Sequence, residues 1–374
     1  MTEHIVPLAL LVVASAITSY VATGAVKAVA LRVGAIDRPD EIRKRHLNET
    51  PRLGGLAIIF GFGFPLMLLA ANARAATLVS KNLTYLFAVL ASGSLVVALG
   101  VYDDLLGTDA PRKFAVQTAA AVILVCFGFH FTFVSLAGGV VELGFLGFVA
   151  SVVWIVGVIN AVNFIDGMDS LATVVSITIA VAFGAIGIIR YDLFSLVIMA
   201  ALAGSLIGFY PWNRPPAKIF MGDTGSLFIG LLLAACSLAR PSKSPVAVII
   251  GGPILALALP VLDTLIVMQK RFGAPQGTFL DRITRMFNAD RNHIHHILVA
   301  KYGSVNKAIV SIWLITLLFA VAAVMTVEPR TKIWGYSAAA LALAVMLFLR
   351  YGFRRHNNDG DAAIVQPAED GARR

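Results

Sequence analysis

The sequence predicts an all-α fold, a polytopic bundle of transmembrane helices. Hydrophobic residues make up 58% of the 374 residues and charged residues only 14%, with a mean hydropathy of +0.84, which excludes an ordinary soluble domain. Apolar stretches of about 20 residues recur, each long enough to cross the hydrocarbon core of a bilayer as a helix. Strict strand-like alternation is absent from the sequence, and lipid-exposed backbone must satisfy its own hydrogen bonds, so helices are favoured.

These stretches predict about eleven spans. In chain order they cover residues 5–27, 54–71, 83–101, 114–130, 145–160, 171–189, 192–209, 224–239, 246–269, 307–327 and 333–350. The first span has no Lys or Arg before it and is long for a signal peptide, so it is expected to be retained. The joint Arg190-Tyr191-Asp192 is so short that the spans beside it must form a tight hairpin. One integral membrane domain is predicted over 1–350, followed by a polar, disordered cytoplasmic tail over 351–374.

The distribution of basic residues predicts the orientation in the membrane. The joints alternate between the two sides, and one set, together with the tail, carries 23 of the 30 Lys and Arg residues against 7 for the other. The positive-inside rule places the first set in the cytoplasm. The net charge of +9 is therefore mainly an orientation signal. Nucleic-acid binding is excluded, because the basic residues are scattered over loops and do not belong to any nucleic-acid-binding motif.

The clusters of Asp, Asn and His all fall at span ends on the predicted cytoplasmic side. A transporter tends to carry its charges near the bilayer midplane. An enzyme that meets a soluble substrate at the membrane surface needs them on one face. Catalysis is therefore the leading hypothesis, with a transporter as the alternative from another class.

Two adjacent carboxylates, Asp103 and Asp104, end the third span. They repel one another, so a cation should neutralise them. Mg²⁺ prefers such oxygen ligands and usually also holds substrate phosphates. The nearby Arg112 and Lys113 add candidate phosphate contacts. A solvated pair at a helix end is an equally good interpretation of the two carboxylates taken alone.

Amide and carboxylate side chains recur every third residue near the end of the fifth span. They are Asn160, Asn163, Asp166 and Asp169. At about 100° per residue, steps of three fan these groups over half of a helix. A tighter turn or a break at Gly167 would bring them toward a common site. A capping and turn sequence explains Asp166-Gly167 but leaves the asparagines unexplained, so function is favoured.

Asp223 stands between Gly222 and Thr224-Gly225 at the start of the eighth span. It is a good helix N-cap residue, which is a complete structural interpretation. Glycines around a carboxylate at a helix N-terminus are also typical of a phosphate and metal site, since free N–H groups and the helix dipole attract anions. The sequence leaves both interpretations open.

Arg291, His293, His295 and His296 lie in the longest predicted cytoplasmic loop. A zinc site is disfavoured, because the sequence has neither a companion Glu at zincin spacing nor a Cys pair. An arginine and three imidazoles beside carboxylate sites suit pyrophosphate binding better. An exposed histidine run is the alternative.

Asp263 lies about two turns inside the ninth span. A carboxylate at that depth is costly and should face the bundle interior. Orientation of a catalytic partner and purely structural hydrogen bonding are both open.

Taken together, these residues resemble the polyprenyl-phosphate N-acetylhexosamine-1-phosphate transferase family, glycosyltransferase family 4. This family includes phospho-N-acetylmuramoyl-pentapeptide translocase and the undecaprenyl-phosphate N-acetylglucosamine-1-phosphate transferases. The similar segments, in the family's order, are Arg43 to His46, Pro51 to Gly55, Asp103-Asp104, Pro111 to Lys113, Asn160 to Asp169, Phe220 to Ser226 and Arg291 to His296. The His-Ile-His-His form resembles the N-acetylglucosamine branch, since the translocase carries three consecutive histidines.

The resemblance implies transfer of an N-acetylhexosamine 1-phosphate, GlcNAc 1-phosphate first of all, from a UDP-sugar to undecaprenyl phosphate with release of UMP. It implies a Mg²⁺ cofactor, with Mn²⁺ as a substitute, and the first membrane step of a cell-envelope polysaccharide such as O-antigen. The site would face the cytoplasm from the bacterial inner membrane, and a homodimer is compatible with the family. Another UDP-N-acetyl sugar as donor, or transport of polyprenyl-linked sugars, are the alternatives.

The resemblance also implies roles residue by residue. Asp103, Asp104 and Asp223 would be catalytic and hold the metal, with Asp103 positioning or deprotonating the lipid phosphate. The substrate-binding residues toward the nucleotide would be Asn160, Asp166, Asp169, Asn213 and Phe220. Those toward the diphosphate and sugar would be Arg291, His293, His295 and His296, with Lys113 as a phosphate contact. Asn163 would also bind substrate. Phe220 would stack on uracil. Direct transfer and a covalent aspartyl-phosphate route are both open.

Overall fold

A computed structural model describes residues 2–37, 49–71, 82–136, 139–238, 251–273 and 292–352. These ranges contain thirteen helices: α1 Thr2–Val33, α2 Gly54–Ala70, α3 Leu83–Leu106, α4 Ala110–Cys126, α5 Gly144–Ile165, α6 Leu171–Ile189, α7 Leu193–Asn213, α8 Gly222–Ser237, α9 Gly251–Ala256, α10 Ala258–Phe272, α11 Ile294–Tyr302, α12 Val305–Val327 and α13 Lys332–Tyr351. Two short antiparallel pairs join β1 Ile36–Asp37 to β2 Thr50–Pro51 and β3 Phe133–Leu136 to β4 Gly139–Glu142.

The predicted fold class, a polytopic helical membrane protein, is confirmed. Seven described helices are long and apolar enough to cross a membrane, namely α1, α3, α5, α6, α7, α12 and α13, and α2 and α8 are shorter apolar helices. Ten of the eleven predicted spans each coincide with one helix over their described residues, although the number that crosses the bilayer stays a prediction. Outside the described residues lie Arg43 to His46, Arg291 and residues 353–374 of the predicted tail. The first residue of the predicted tail, Tyr351, is instead the last residue of α13.

The ninth predicted span is broken into α9 and α10 around Leu257. Pro260, in the first turn of α10, explains the break. It has no N–H for the carbonyl of Ala256, and its ring crowds that carbonyl. The span predicted over 246–269 is therefore interrupted within its described part.

The hairpin between α6 and α7 is confirmed. Tyr191 adopts a left-handed conformation, with φ 55°. Asp192 then caps α7, because its side chain accepts the backbone N–H of Ser195 at 3.2 Å. A carboxylate at this position satisfies one of the donors that every helix N-terminus leaves open.

Helix α8 lies at the centre of the bundle, in contact with α2, α3 and α5. Its side chains are buried almost throughout, including Leu227 and Leu231 at 0% exposure. A helix that is apolar on every side suits a position enclosed by other helices. Its N-terminus, at Gly222, is therefore surrounded by the ends of neighbouring helices.

Two glycines let helices α2 and α3 cross the first turn of α8 with backbone against backbone. A Cβ on Gly55 would lie 2.1 Å from the backbone N of Gly225, and a Cβ on Gly100 would lie 2.4 Å from the Cα of Thr224. No side chain fits at those distances, so the packing requires glycine at both positions. The contact brings Asp104, one helical turn after Gly100, to the N-terminus of α8.

The segment that leads into α8 is fixed by backbone pairing with the residues before α2. The N–H of Phe220 donates to the carbonyl of Pro51 at 2.9 Å, and the N–H of Gly54 donates to the carbonyl of Phe220 at 2.9 Å. The N–H of Gly55 donates to the carbonyl of Met221 at 2.8 Å. The similar segments Pro51 to Gly55 and Phe220 to Ser226 thus form one structural unit.

Candidate active site

Three carboxylates meet where α3 ends and α8 begins. Asp103 and Asp104 lie in the last turn of α3, and Asp223 lies in the first turn of α8. One oxygen from each lies within 4.8 Å of the others, a spacing that suits a shared cation. Asp104 is buried, whereas Asp103 and Asp223 are half-buried.

Asp104 caps helix α8 from outside that helix. Its Oδ1 accepts the N–H of Asp223 at 2.9 Å, and its Oδ2 accepts the N–H of Thr224 at 3.0 Å and the hydroxyl of Thr224 at 2.6 Å. Gly222, with φ +67°, leaves room for this carboxylate, since a Cβ there would lie 2.5 Å from both oxygens. The negative charge also complements the positive end of the helix dipole.

This arrangement overturns two interpretations of the Asp223 segment. Asp223 is not the N-cap of α8, because it lies inside the first turn and its own N–H is bound to Asp104. Two of the first N–H groups of α8, those of Asp223 and Thr224, are also not free for a phosphate, since both donate to Asp104. Because Asp223 does not serve as the cap, its carboxylate points instead to side chains of α4 and α5.

Lys113 lies between the carboxylates of Asp103 and Asp223. Its Nζ is 2.8 Å from Oδ2 of Asp103 and 2.6 Å from Oδ2 of Asp223. Burial opposes the charged form, but the attraction of Asp223 and Asp103 outweighs it, so the pKa of Lys113 is raised. Lys113 is therefore a fixed ammonium at the centre of the site.

The four polar residues at the end of α5 divide into two groups. Asn163 donates to Oδ1 of Asp223 at 3.0 Å and to the hydroxyl of Ser226 at 2.9 Å. Asn160 instead donates to the side chain of Gln117 at 2.6 Å. Asp169, beyond the helix, accepts the N–H of Ala217 at 2.9 Å. The helix does break after Ile165, but the break does not gather all four side chains at one point.

Asp166 follows the last residue of α5 and is close enough to Asp223 and Asp104 to be repelled by their charges. Burial, reinforced by repulsion from Asp223, Asp104 and Asp169, raises the pKa of Asp166 well above its usual value. Arg52, which is paired with Asp37, partly offsets this repulsion. The region therefore favours an added positive charge.

Asn213, expected near the nucleotide, is buried with 2% exposure. Its Oδ1 accepts the N–H of Ser170 at 3.1 Å and the hydroxyl of Thr173 at 2.7 Å, and its amide donates to the carbonyl of Ile219 at 3.1 Å. These bonds tie the start of α6 to the segment before Phe220. The structure thus gives Asn213 a supporting role, while Phe220 is half-buried and its stacking on uracil stays a prediction.

His295 packs against the turn after α5. The Nε2 of His295 faces Gly167, where a Cβ would lie only 3.1 Å away. His295 is 1% exposed, and neither of its ring nitrogens has a hydrogen-bond partner among the described residues. Burial, followed by repulsion from His296 and His293, lowers the pKa of His295 to about 3, so the ring is neutral near pH 7.

His293 immediately precedes α11 and is held by Asp263. Its Nδ1 is 2.8 Å from Oδ2 of Asp263, and its ring lies 5.6 Å from that of Phe164. Asp263 is also ion-paired with Arg350. Both roles considered for Asp263, orienting a partner and structural hydrogen bonding, are therefore present.

Two site-supporting residues were missed by the sequence interpretation. Gln117 lies one helical turn after Lys113 on α4, and this i, i+4 spacing places both on one face toward α5. Arg350, at the end of α13, was counted only as an orientation signal. Nothing in the local sequence links it to Asp263, 87 residues earlier.

The carboxylate group fits a divalent cation such as Mg²⁺. Its ligands are hard oxygen atoms, and Asp103, Asp104 and Asp223 carry three negative charges against the single ammonium of Lys113. Asp103 and Asp223 are the more accessible ligands, because both are half-buried, whereas Asp104 is buried. The histidines face a different part of the site.

Comparison with known proteins gives consistent matches. Residues 86–240 match the model of glycosyl transferase family 4. Over 365 residues the chain is 34% identical to decaprenyl-phosphate N-acetylglucosaminephosphotransferase of Mycolicibacterium smegmatis, with 91% of this chain and 86% of that protein covered. It is 33% identical to the probable undecaprenyl-phosphate N-acetylglucosaminyl 1-phosphate transferase of Bacillus subtilis, with 89% and 88% covered. A 148-residue similarity, 34% identical, links it to phospho-N-acetylmuramoyl-pentapeptide-transferase of Halalkalibacterium halodurans, covering 39% and 41% of the two chains.

The family match includes every carboxylate of the cluster, from Asp103 on α3 to Asp223 on α8. The similarity to the Mycolicibacterium smegmatis protein extends over nearly the whole chain. The family expected from the sequence motifs is therefore confirmed: this membrane protein is a transferase that belongs to glycosyl transferase family 4.

Proposed function

We propose that this protein transfers GlcNAc 1-phosphate from UDP-GlcNAc to a polyprenyl phosphate, releasing UMP, in a Mg²⁺-dependent reaction. The observation that carries the proposal is the group formed by Asp103, Asp223 and Lys113 at the ends of helices, in a chain with full-length relatives that act on polyprenyl phosphates. A site at helix ends suits a reaction between a soluble nucleotide sugar and a lipid. It is less suited to transport through the midplane of the membrane.

The names of the relatives support a polyprenyl phosphate as the acceptor and GlcNAc 1-phosphate as the transferred group. One relative is named for decaprenyl phosphate and the other for undecaprenyl phosphate, at 34% and 33% identity. Such similar identities favour neither chain length, so both lipids are candidate acceptors. Both names specify N-acetylglucosamine, which supports GlcNAc over other N-acetyl sugars.

The proposed chemistry is a displacement at phosphorus. An oxygen of the polyprenyl phosphate attacks the sugar-bound phosphorus of UDP-GlcNAc, forming a new P–O bond. The P–O bond to UMP breaks, and UMP leaves with the electron pair. A phosphate with a second pKa of about 6 is largely ionised at neutral pH, so no strong base is needed. Asp103 then serves mainly to position the lipid phosphate, and direct transfer is favoured over a covalent route.

The protein's own contribution is charge and alignment. Lys113 places a positive charge beside the phosphoryl oxygens, while Asn163 fixes the carboxylate of Asp223. Asp103 and Asp223, supported by Asp104, would hold Mg²⁺, which when bound neutralises charge on phosphate oxygens. Fixing the two substrates in line supplies much of the remaining rate enhancement.

The donor would extend from the carboxylates toward the histidines. The ring nitrogens of buried His295 have no hydrogen-bond partner in the part of the chain that the structure describes, so they are available to a polar ligand. His293 is already oriented by Asp263. Asp166 would lie on the nucleotide side. We place the site on the cytoplasmic face of the bacterial inner membrane, where UDP-sugars are made, as the first membrane step of a cell-envelope polysaccharide. The positive-inside rule supports this orientation.

The test uses purified protein in detergent with UDP-GlcNAc labelled in the sugar, Mg²⁺, and either undecaprenyl or decaprenyl phosphate. Label entering the organic phase and UMP release are measured together. Equal amounts of both products, lost with EDTA and in Asp223→Asn, are expected. Asp192→Asn is the matched control, because Asp192 caps α7 at the other end of the bundle and Asn also caps helices.

Label in lipid that survives EDTA would contradict the metal dependence. No label in lipid with either acceptor, from protein that melts normally, would contradict GlcNAc as the donor sugar. A panel of other UDP-N-acetyl sugars then distinguishes another donor from a protein without this activity.

A further inference from the structure

A buried ion pair joins the last helix of the bundle to the segment that carries the histidines. Arg350, near the end of α13, and Asp263, in α10, are 1% and 0% exposed. One guanidinium nitrogen of Arg350 donates to Oδ1 of Asp263, and the other donates to the carbonyl of Asn292 at 2.9 Å. A hydrophobic pair of similar volume often stabilises a protein as much as a buried ion pair does. What this ion pair adds is therefore the fixed direction of its hydrogen bonds.

Asp263 distributes those contacts to the start of α11. Its Oδ2 lies 2.8 Å from Nδ1 of His293, and its Oδ1 accepts the N–H of Ile294, the first residue of α11, at 3.0 Å. A carboxylate can only accept here, so Nδ1 of His293 carries the proton and Nε2 faces away from Asp263. The same carboxylate therefore sets both the tautomer of His293 and the position of the helix that carries His295.

We propose that Arg350 is a positioning residue for the donor-binding histidines, acting through Asp263 on His293 and on the first turn of α11. The proposal rests on the proposed function for its kinetic consequence. Arg350 is too buried to touch a substrate itself, since only 1% of it is exposed. Its role is to hold Asp263 in the one orientation that serves His293, Ile294 and Asn292 together.

The position of α11 has a direct consequence for the site. Nε2 of His295 already faces Gly167 at close range, so a small shift of α11 would either press the ring into that turn or withdraw it. Misplacement of a substrate-holding group by about 1 Å can cost about a hundredfold in rate. The contacts of Arg350 and Asp263 with the N-terminus of α11 can therefore fix the position of the bound donor from outside the site.

The kinetic test compares Arg350→Gln and Arg350→Lys with Arg32→Gln and Arg32→Lys. Arg32, exposed at the end of α1, is the matched control. We expect the KM for UDP-GlcNAc to rise roughly tenfold or more in the Arg350 variants, with the KM for polyprenyl phosphate unchanged. In an Asp263→Ala background the same substitutions should add little, because the residue through which Arg350 acts is already gone.

A second readout is independent of activity. Hydrogen–deuterium exchange of the peptide covering residues 292–302 should be faster in Arg350→Gln than in wild type or Arg32→Gln, since the Ile294 amide loses a fixed acceptor. Should Arg350→Gln fail to fold, Arg350→Lys carries the test. It keeps the charge but cannot reproduce the planar fork that reaches both Asp263 and Asn292.

The outcomes separate this proposal from the proposed function. If wild-type protein transfers no label from any UDP-sugar, the proposed function fails. Faster hydrogen–deuterium exchange over 292–302 in the Arg350 variants would still support the role of Arg350 in positioning α11. Unchanged exchange in folded Arg350 variants overturns it. In active protein, altered exchange with an unchanged donor KM overturns the positioning role, because Arg350 would then serve stability alone.

Discussion

The carboxylate of Asp104, at the end of α3, accepts hydrogen bonds from the backbone N–H groups of Asp223 and Thr224, at the start of α8. Asp104 and Thr224 are 120 residues apart in the sequence. Its neighbour Asp103 makes a different contact, the ion pair with Lys113. The two adjacent carboxylates therefore divide their roles. Asp104 builds the site by joining two helices, and Asp103 faces the region where the substrates are proposed to meet.

Removing the Asp104 carboxylate should destabilise the fold as well as the site. In Asp104→Ala the buried N–H groups of Asp223 and Thr224 lose their acceptor, and each unsatisfied buried donor costs about 1–3 kcal/mol. We expect a clearly lower melting temperature in detergent. Asp103→Ala is the comparison. It should melt close to wild type, because Lys113 stays ion-paired with Asp223 when the Asp103 carboxylate is removed. Equal melting of Asp104→Ala and wild type would show that the cap contributes no stability.

The helix crossing at Gly55 should not tolerate a methyl group. A Cβ there would lie 2.1 Å from the backbone of Gly225, and backbone cannot move aside as a flexible side chain can. Gly55→Ala should therefore lose about 1–3 kcal/mol of stability and most of the activity.

Gly63, on the same helix, supplies the matched control. Nothing lies within 4 Å of a Cβ built there. Gly63→Ala should be neutral or slightly stabilising, since Ala favours helix more than Gly does. Both variants are compared by thermal unfolding, and similar melting of the two would argue against the close contact of α2 with α8.

Acid should destabilise the protein partly through His295. Its folded pKa of about 3 lies below an unfolded value of about 6.5. The unfolded state therefore binds the proton more readily, so stability is fully present above about pH 6.5 and falls as the pH drops from there toward 3. The loss approaches about 1.4 kcal/mol per pH unit.

The measurement compares melting temperatures of wild type and His295→Asn between pH 7.5 and pH 5. Wild type should lose more stability over this interval than the variant, which has no imidazole to protonate. Parallel pH profiles would mean that His295 gains its proton at an ordinary pKa, in contact with water.

Metal binding can be measured without turnover. Mn²⁺, a spectroscopic substitute for Mg²⁺, should bind the detergent-purified protein and be displaced by Mg²⁺ in an electron paramagnetic resonance titration. We expect Asp223→Asn to weaken Mn²⁺ binding at least about tenfold, because it removes an ionised oxygen ligand. Asp192→Asn should bind as wild type does. Equal affinity in wild type and Asp223→Asn would place the metal elsewhere.

The sequence by itself determined the class of the protein and the places where its chemistry is concentrated. Hydropathy and segment length reflect one local requirement: each span must satisfy its own backbone hydrogen bonds in lipid. Ten predicted spans therefore fall close to single helices, whereas the ninth is divided between α9 and α10, and α11 lies in a predicted loop. Polar residues at span ends are costly without partners, which is why the groups around Asp103, Asn163 and Asp223 were candidate functional residues before any partner was known.

Only the tertiary structure decided which partner each side chain has. Asp223 looked like a helix cap, but the cap comes from Asp104 on another helix, and Asn160 turns to Gln117 instead of the carboxylates. Arg350 carried no local signal at all. The physical reason is that a hydrogen-bond partner is fixed by how helices distant in sequence pack, and that packing depends on small residues at crossings such as Gly55, whose effect appears only when two backbones meet.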